Sequence, residues 1–175
     1  EIKRLVPFIL QHKKSQDELL VLWDNNGDPQ VWDYLVSVKG KNCYLFQDKF
    51  DGDFASWKNK LIERASGEYS FNLDADEIPN INLITNIHEI IESNPDNEVY
   101  MVPRINTVEE ITEEHIRKWG WQINDKKWIN YPDMQSRIFK NTPHIRWKNK
   151  VHETLSGQRF FAALPAEEQF SLYHH

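Results

Sequence analysis

The sequence predicts an α/β fold, a mostly parallel sheet flanked by helices, and three observations carry that prediction. Short apolar runs alternate with segments of helical spacing through the first half of the chain. The runs stop at turn signals, of which Asp24-Asn25-Asn26-Gly27-Asp28-Pro29 is the strongest. A cluster of carboxylates, Asp74, Asp76 and Glu77, then falls where one such run ends, on the edge of an open α/β sheet where ligands bind.

In chain order, Leu5, Val6, Phe8, Ile9 and Leu10 suit one side of a short helix, with Pro7 acceptable only in a first turn. Glu18 to Trp23 reads as a buried strand, followed by a helix around Gln30 to Val38 and a strand around Asn42 to Gln47. Asp53 suits a helix N-cap, Trp57, Leu61 and Ala65 repeat at spacing four, and Gly67 suits the C-cap. Tyr69, Phe71 and Leu73 lead as a strand into the carboxylates. Leu83, Ile84, Ile87, Ile90 and Ile91 then keep helical spacing up to Asn94-Pro95, and Val99 to Val102 reads as another strand. From Asn106 to Lys127 the chain is polar and irregular, with Trp119 and Trp121 set in it. Strand-like pieces return at Gln135 to Phe139, around Val151, and at Gln169 to Tyr173. The expectation is one domain over residues 1–175, with a nucleotide-binding half at 1–104 and an acceptor and metal half at 105–175.

Composition narrows the function. The 175 residues carry a net charge of −6 with no long block of either sign, so the basic patch that nucleic acid requires is missing. Aromatics make up 13%, with seven Trp, enough for a core or a stacking surface. The single Cys43 cannot form an internal disulfide, which makes a reducing, cytoplasmic compartment the default. No run approaches the roughly 18 apolar residues of a membrane span, so any membrane contact is expected to be peripheral.

Three carboxylates within four residues repel one another and need a cation or hydrogen-bond donors to offset that cost. Hard oxygen ligands suit Mg²⁺ or Mn²⁺, which hold diphosphate through one or two carboxylates plus phosphate oxygens. The plain alternative is a solvated acidic turn, and Asp-x-Asp alone does not decide between them.

The wider context does more. Phe54 to Glu77, with its helix bearing Lys58 and Asn59, then Ala65-Ser66-Gly67-Glu68-Tyr69, a strand and Asp74-Ala75-Asp76, resembles the core signature of glycosyltransferase family 2. Tyr131 to Lys140, followed by Trp147 and Val151-His152-Glu153, is similar to lipopolysaccharide-core-type and phage-encoded members. The resemblance touches most of the chain from Leu19 onward. It implies a GT-A fold with a Rossmann-like sheet, a nucleoside-diphosphate-sugar donor with UDP foremost, and inversion at the anomeric carbon. The acceptor would be a hydroxyl of a glycan or a lipid-linked molecule.

Carried over by position, Asp24 would contact the nucleotide base and Lys58 the diphosphate. Asp74 would face the ribose and the metal, Asp76 would ligate the metal directly, and the Tyr173-His174-His175 strand end would supply a further ligand, His174. Two departures stand out. The family's opening strand, with its Pro-x-Tyr-Asn-like end, has no match, so a first strand would be missing from this sheet. The usual Asp-Gly-Ser-x-Asp is altered to Asp24-Asn25-Asn26-Gly27-Asp28.

An inverting displacement needs a carboxylate to take the acceptor's proton. Asp133, read as following Pro132 in a turn, and Glu153 are the candidates. The plain readings are a turn aspartate for Asp133 and an ion pair with Arg137 or Arg146 for Glu153. His152 is either a diphosphate contact or a structural histidine, and the plain reading of the two terminal histidines, His174 and His175, is a tag remnant or a frayed end. Trp119, Trp121, Trp128 and Trp147 could stack on sugar, with core packing the commoner role for any one of them. His12, His88 and His115 read as surface residues. Two rivals remain: a noncatalytic carbohydrate-binding or assembly domain of the same fold, and a nucleotidyltransferase, whose Gly-rich basic loop is absent from this sequence.

Overall fold

The computed structural model describes residues 1–174. Helix α1 (Ile2–His12) buries Leu5, Val6 and Ile9 on one face. Pro7 lies inside this helix rather than in its first turn. Its missing N–H would have met the Lys3 carbonyl, and the Tyr34 hydroxyl donates to that oxygen instead, at 3.4 Å. Strand β1 (Leu19–Asp24), helix α2 (Pro29–Val38) and strand β2 (Cys43–Asp48) form a parallel β–α–β unit, in register from Leu19↔Cys43 to Asp24↔Asp48. Asp28 starts α2 by accepting from the Gln30 N–H at 2.9 Å, with Pro29 at the first helical position.

Asp53 caps α3 (Phe54–Ile62) as expected, accepting from the Ser56 N–H at 2.9 Å. Gly67 does not end it. The helix stops at Ile62 with Glu63 at the C-cap, and two further turn bonds carry the chain to Ala65. Gly67 precedes β3 (Tyr69–Phe71), and its N–H is taken by Glu18.

Beyond it come β4 (Glu77–Pro79), α4 (Ile81–Glu92), β5 (Val99–Asn106), α5 (Glu113–Trp119), β6 (Ile129–Lys140), β7 (Arg146–Lys148), β8 (Thr154–Ser156), β9 (Phe161–Ala163) and β10 (Leu172–His174). The main sheet runs β3-β6-β5-β10-β4, with β9 also paired to β5. Its β5/β10 and β5/β9 ladders are parallel, whereas β3/β6, β5/β6 and β4/β10 are antiparallel. The α/β class therefore holds, but the sheet is mixed rather than mostly parallel. The second half of the chain returns β6 directly alongside β5, and an antiparallel return needs no crossover helix packed on the sheet.

Two further expectations change. The piece around Val151 is the bend of the β7/β8 hairpin, and Asp133 lies within β6 rather than in a turn. Residue 104 falls inside β5, whose Arg104–Asn106 end pairs with β10.

The sheet is packed on both faces. Leu83 of α4 joins Tyr100, Val102, Ile138 and Leu172 on one side; Ala55 and Ile62 of α3 join Val99, Phe139 and Trp147 on the other. Helix α5 buries nothing; its capping box at Thr112 and left-handed Gly120 hold it as a surface element. Among the described residues no helix is long and apolar enough to cross a membrane.

Candidate active site

Between β3 and β4 the chain turns through Asp74 to Glu77. The turn is closed twice: the Glu77 N–H donates to the Asp74 carbonyl at 3.1 Å, and the Asp74 N–H donates to Glu77 Oε2 at 3.1 Å. That second bond requires the Glu77 side chain to fold inward, where it is 0% exposed. A carboxylate so deeply buried needs cations. Arg137 of β6 and Arg104 of β5 both donate to its Oε1, Arg104 at 3.1 Å.

From this pair the contacts run in both directions. Arg137, 3% exposed, also holds Asp74 Oδ2 at 2.8 Å. Lys58 of α3 sits 3.0 Å from Asp74 Oδ1 and 2.6 Å from Glu153 Oε1, with its ammonium over the Trp147 ring. On the other side Arg104 grips Asp133 Oδ2 through Nε and Nη2, at 2.9 and 2.7 Å. Asn106 donates to the same oxygen at 2.9 Å, and Gln135 to Oδ1 at 2.7 Å. Asn106 then meets His174 Nδ1 at 2.8 Å, and His174 Nε2 lies 3.4 Å from Asp76 Oδ2. The result is one continuous polar chain from Glu153 to Asp76, with three cations against five carboxylates.

Burial works against ionisation of Asp74, but the charges of Arg137 and Lys58 outweigh it and hold the carboxyl below its usual range. Burial is likewise overcome at Asp133, by Asn106 and Arg104, and at Glu153, chiefly by the hydrogen bond from Lys58. All three are therefore ionised at neutral pH.

The sequence-predicted residues divide. Lys58, Asp74, Asp76, Asp133, Glu153 and His174 come together in this chain of contacts. Asp24 stands apart from it: its Oδ1 accepts from the N–H groups of Asn26 and Phe50 and from the Asn26 side chain, tying the ends of β1 and β2 together. His175 lies outside the described residues. The partner of Glu153 is Lys58, not Arg137 or Arg146. Trp147 is core, 5% exposed, whereas Trp119 is 51% exposed and packed on Trp121. His88, expected at the surface, is half-buried against Asp17 at 2.8 Å.

Sequence reasoning missed Arg104, Asn106 and the central place of Arg137 and Glu77. A signal was available, since an arginine inside an apolar strand run implies a buried anionic partner. Among the described residues no three acid or histidine side chains already form a metal cage. Asp76 and His174 offer two donors, a set that fits a cation taking its other ligands from phosphate and water. A trench of about 1490 Å³ reaches this point, lined here by Lys58, Asp74, Asp76, Glu153 and His174. A smaller cavity of about 330 Å³ shares Lys58, Asp74 and Glu153.

No curated protein matches the chain. Sixteen chains of solved structures do. One of them is S. aureus TarS 1–349 in complex with UDP, with a TM-score of 0.67 and 13% identity, over 98% of this chain and 55% of that one. The present chain thus spans about half the length of that structure, and at this identity the likeness speaks for the fold, which is GT-A-like. The sequence profile described as Glycosyl transferase family 2 matches residues 1–158, and with the strand-end carboxylates in place the chain belongs to glycosyl transferase family 2.

Proposed function

We propose that the site transfers a sugar, with inversion, from a nucleoside-diphosphate-sugar to a hydroxyl of a glycan or lipid-linked acceptor. It would do so in the cytoplasm, on acceptors in solution or at a membrane surface. The observation that carries this reading is the pairing of a cation cluster, Lys58 and Arg137 around Asp74, with the Asp76–His174 donor pair beside it. Such a site suits a diphosphate and its counter-ion better than a neutral ligand. The UDP bound by the TarS structure supports UDP as the first donor to try.

Asp76 and His174 would hold Mn²⁺ or Mg²⁺, with Asp74 as a further donor, and Asp24 would contact the base. When bound, the cation supplies Lewis-acid stabilisation of charge on the leaving diphosphate. The remaining chemistry falls to the protein's own groups. Lys58 bridges Asp74 and Glu153, so a diphosphate that draws the ammonium toward itself loosens its hold on Glu153. Glu153 then takes the proton of the acceptor hydroxyl as that oxygen bonds to the anomeric carbon and the sugar–diphosphate bond breaks. Glu153 is preferred because it lines the trench with Asp74. Asp133 is the second reading, favoured by its link through Asn106 to His174.

Calorimetric titration of UDP and GDP, with and without Mn²⁺, tests the donor site on this chain and on Asp76→Ala. Metal-stimulated UDP binding that disappears in the variant is expected. Binding of neither nucleotide would favour the noncatalytic reading, and release of pyrophosphate on turnover would favour a nucleotidyltransferase. For the base, Glu153→Gln should lower kcat by about 10²–10⁴ and leave nucleotide affinity within a few-fold; if Asp133→Asn does this instead, the assignment moves to Asp133.

A further inference from the structure

Two buried donors beside the carboxylates are left over once the contacts of the site are assigned. Arg137 commits Nη2 to Asp74 and Glu77. Its Nε, on a side chain 3% exposed, meets no partner among the described residues. Trp147 is 5% exposed and is fixed by its backbone, which exchanges two hydrogen bonds of 3.0 Å with the Asn59 side chain. Its indole Nε1–H likewise meets no partner. Buried N–H groups are nearly always hydrogen-bonded, so two of them on the walls of one cavity point to a ligand.

That cavity is the smaller one, of about 330 Å³; Arg137 and Trp147 line it and do not line the trench. Lys58, Asp74 and Glu153 line both, whereas Asp76 and His174 line the trench alone. A diphosphate with its cation therefore belongs on the trench side. The three cations on the cavity wall are already committed: Lys58 to Asp74 and Glu153, Arg137 to Asp74 and Glu77, Arg104 to Glu77 and Asp133. An anion placed there would face Asp74 and Glu153 without a counter-ion. An apolar group would leave both N–H groups stranded, the costly outcome for a buried donor. A hydroxyl meets both demands, because its oxygen accepts from an N–H while its hydrogen goes to a carboxylate. Met134 and Leu155 add apolar wall for the C–H groups of a ring. At about 330 Å³ the cavity stands at the small end of the roughly 300–1,000 Å³ of ligand pockets, with room for one ring and not for a chain.

We propose that the smaller cavity seats the terminal unit of the acceptor, a single uncharged sugar ring, held by Arg137 Nε and Trp147 Nε1 with one hydroxyl on Glu153. The proposal rests on the donor-site reading and narrows its acceptor to a neutral sugar terminus, excluding a uronic acid, a sugar phosphate or a lipid hydroxyl. The acceptor is the occupant, and not the donor's own sugar, because inversion brings the acceptor in from the side opposite the diphosphate, and cavity and trench meet at Glu153. Trp147 thus serves from within the core by its N–H, not by stacking.

The test follows the two donors in the isotope-labelled chain, by the proton–nitrogen NMR signals of the Trp147 indole and the Arg137 Nε–H. Both are assigned through their own backbones, so no variant has to fold. The ligands added are methyl β-glucopyranoside, methyl β-galactopyranoside and methyl N-acetyl-β-glucosaminide, with methyl β-glucuronide as the charged comparison. Each is taken to tens of millimolar, with and without UDP and Mn²⁺. At least one neutral glycoside is expected to shift both signals saturably, with Trp147 alone responding among the seven Trp, and the glucuronide to bind at least tenfold more weakly. No response to any neutral glycoside in either condition would overturn the proposal and leave the two donors to bound water. Equal binding of the glucuronide would overturn the requirement for an uncharged ring. A response to UDP-glucose or UDP-N-acetylglucosamine, but to no free glycoside, would overturn the acceptor assignment and give the cavity to the donor's sugar. UDP binding without a glycoside response removes this proposal alone. A glycoside response without UDP binding removes the donor-site reading and keeps the cavity as a sugar seat, so the two fail separately.

Discussion

Replacing Arg137 with Met leaves the methylene volume and removes the charge. The loss falls first on Glu77, which is 0% exposed and shares Arg137 with Asp74. Removing one partner of a buried ion pair costs about 3–5 kcal/mol, because the other charge stays buried without compensation. Two features place this case at the lower end. Arg104 remains on Glu77 Oε1 at 3.1 Å, and the Asp74 side chain is 36% exposed, so its share is screened to about 1 kcal/mol or less. About 3 kcal/mol corresponds to a Tm drop of about 6–12 °C in a chain of this size. Scanning calorimetry measures it directly. Adding Glu77→Gln to Arg137→Met should recover part of the loss, with a coupling of about 1–3 kcal/mol. A single-variant drop below about 2 °C, or strictly additive losses, would refute the view that Arg137 is the counter-charge around which the site folds.

Three further outcomes are expected. Asp74, Asp133 and Glu153 all titrate below their usual values in the folded chain, so the stability they contribute is complete above the unfolded pKa values, about 3.9–4.3, and is lost as pH falls through the folded ones. The urea midpoint should be level from about pH 7 to pH 5 and fall below about pH 4.5, less steeply in Asp133→Asn; a midpoint that rises on acidification contradicts the assignment. Lys58→Met should lower kcat about 10²-fold and move the acidic limb of the pH–rate profile upward, since the hydrogen bond from Lys58 is what chiefly offsets the burial of Glu153; an unmoved limb argues against Glu153 as base. Gly157→Ala sets a Cβ 1.9 Å from the His144 carbonyl oxygen at a φ of +104, and a destabilisation of at least about 1–3 kcal/mol in urea titration is expected.

Local signals in this sequence were dependable where one element decides the outcome by itself. The Asp28-Pro29 start of α2, the Asp53 cap and the apolar spacing of α4 were readable because caps and periodicity act within a turn or two. Gly67 misled for an instructive reason: glycine at a helix end and glycine at a strand start look alike in sequence. Here the N–H of Gly67 is used by Glu18, forty-nine positions away. The parallel sheet was over-extended for a similar reason. An apolar strand run does not declare its direction, and β6 comes back antiparallel to β5 after a surface excursion through α5.

The site was half legible, and what divides the halves is register. Carboxylates three residues apart on one turn are visible in any window that contains them. Their counter-charges are not, because they arrive from facing positions on different strands: Arg104 opposite Asp133 on β5 and β6, and His174 opposite both Asn106 on β5 and Glu77 on β4. A slip of one residue in any of these ladders would turn its side chains to the other face of the sheet and leave Glu77 buried without its cations. The apolar residues that fix those ladders, Tyr100, Val102, Ile138 and Leu172, thus determine where the charges meet even though none of them carries one. Substitutions in that core should consequently disturb nucleotide binding as well as stability, whereas equal losses of stability at the α5 surface should leave binding intact. Measuring UDP affinity alongside Tm for Val102→Ala and for a destabilising α5 variant separates the two, and equal affinity loss in both would show that register is not what ties this core to the site.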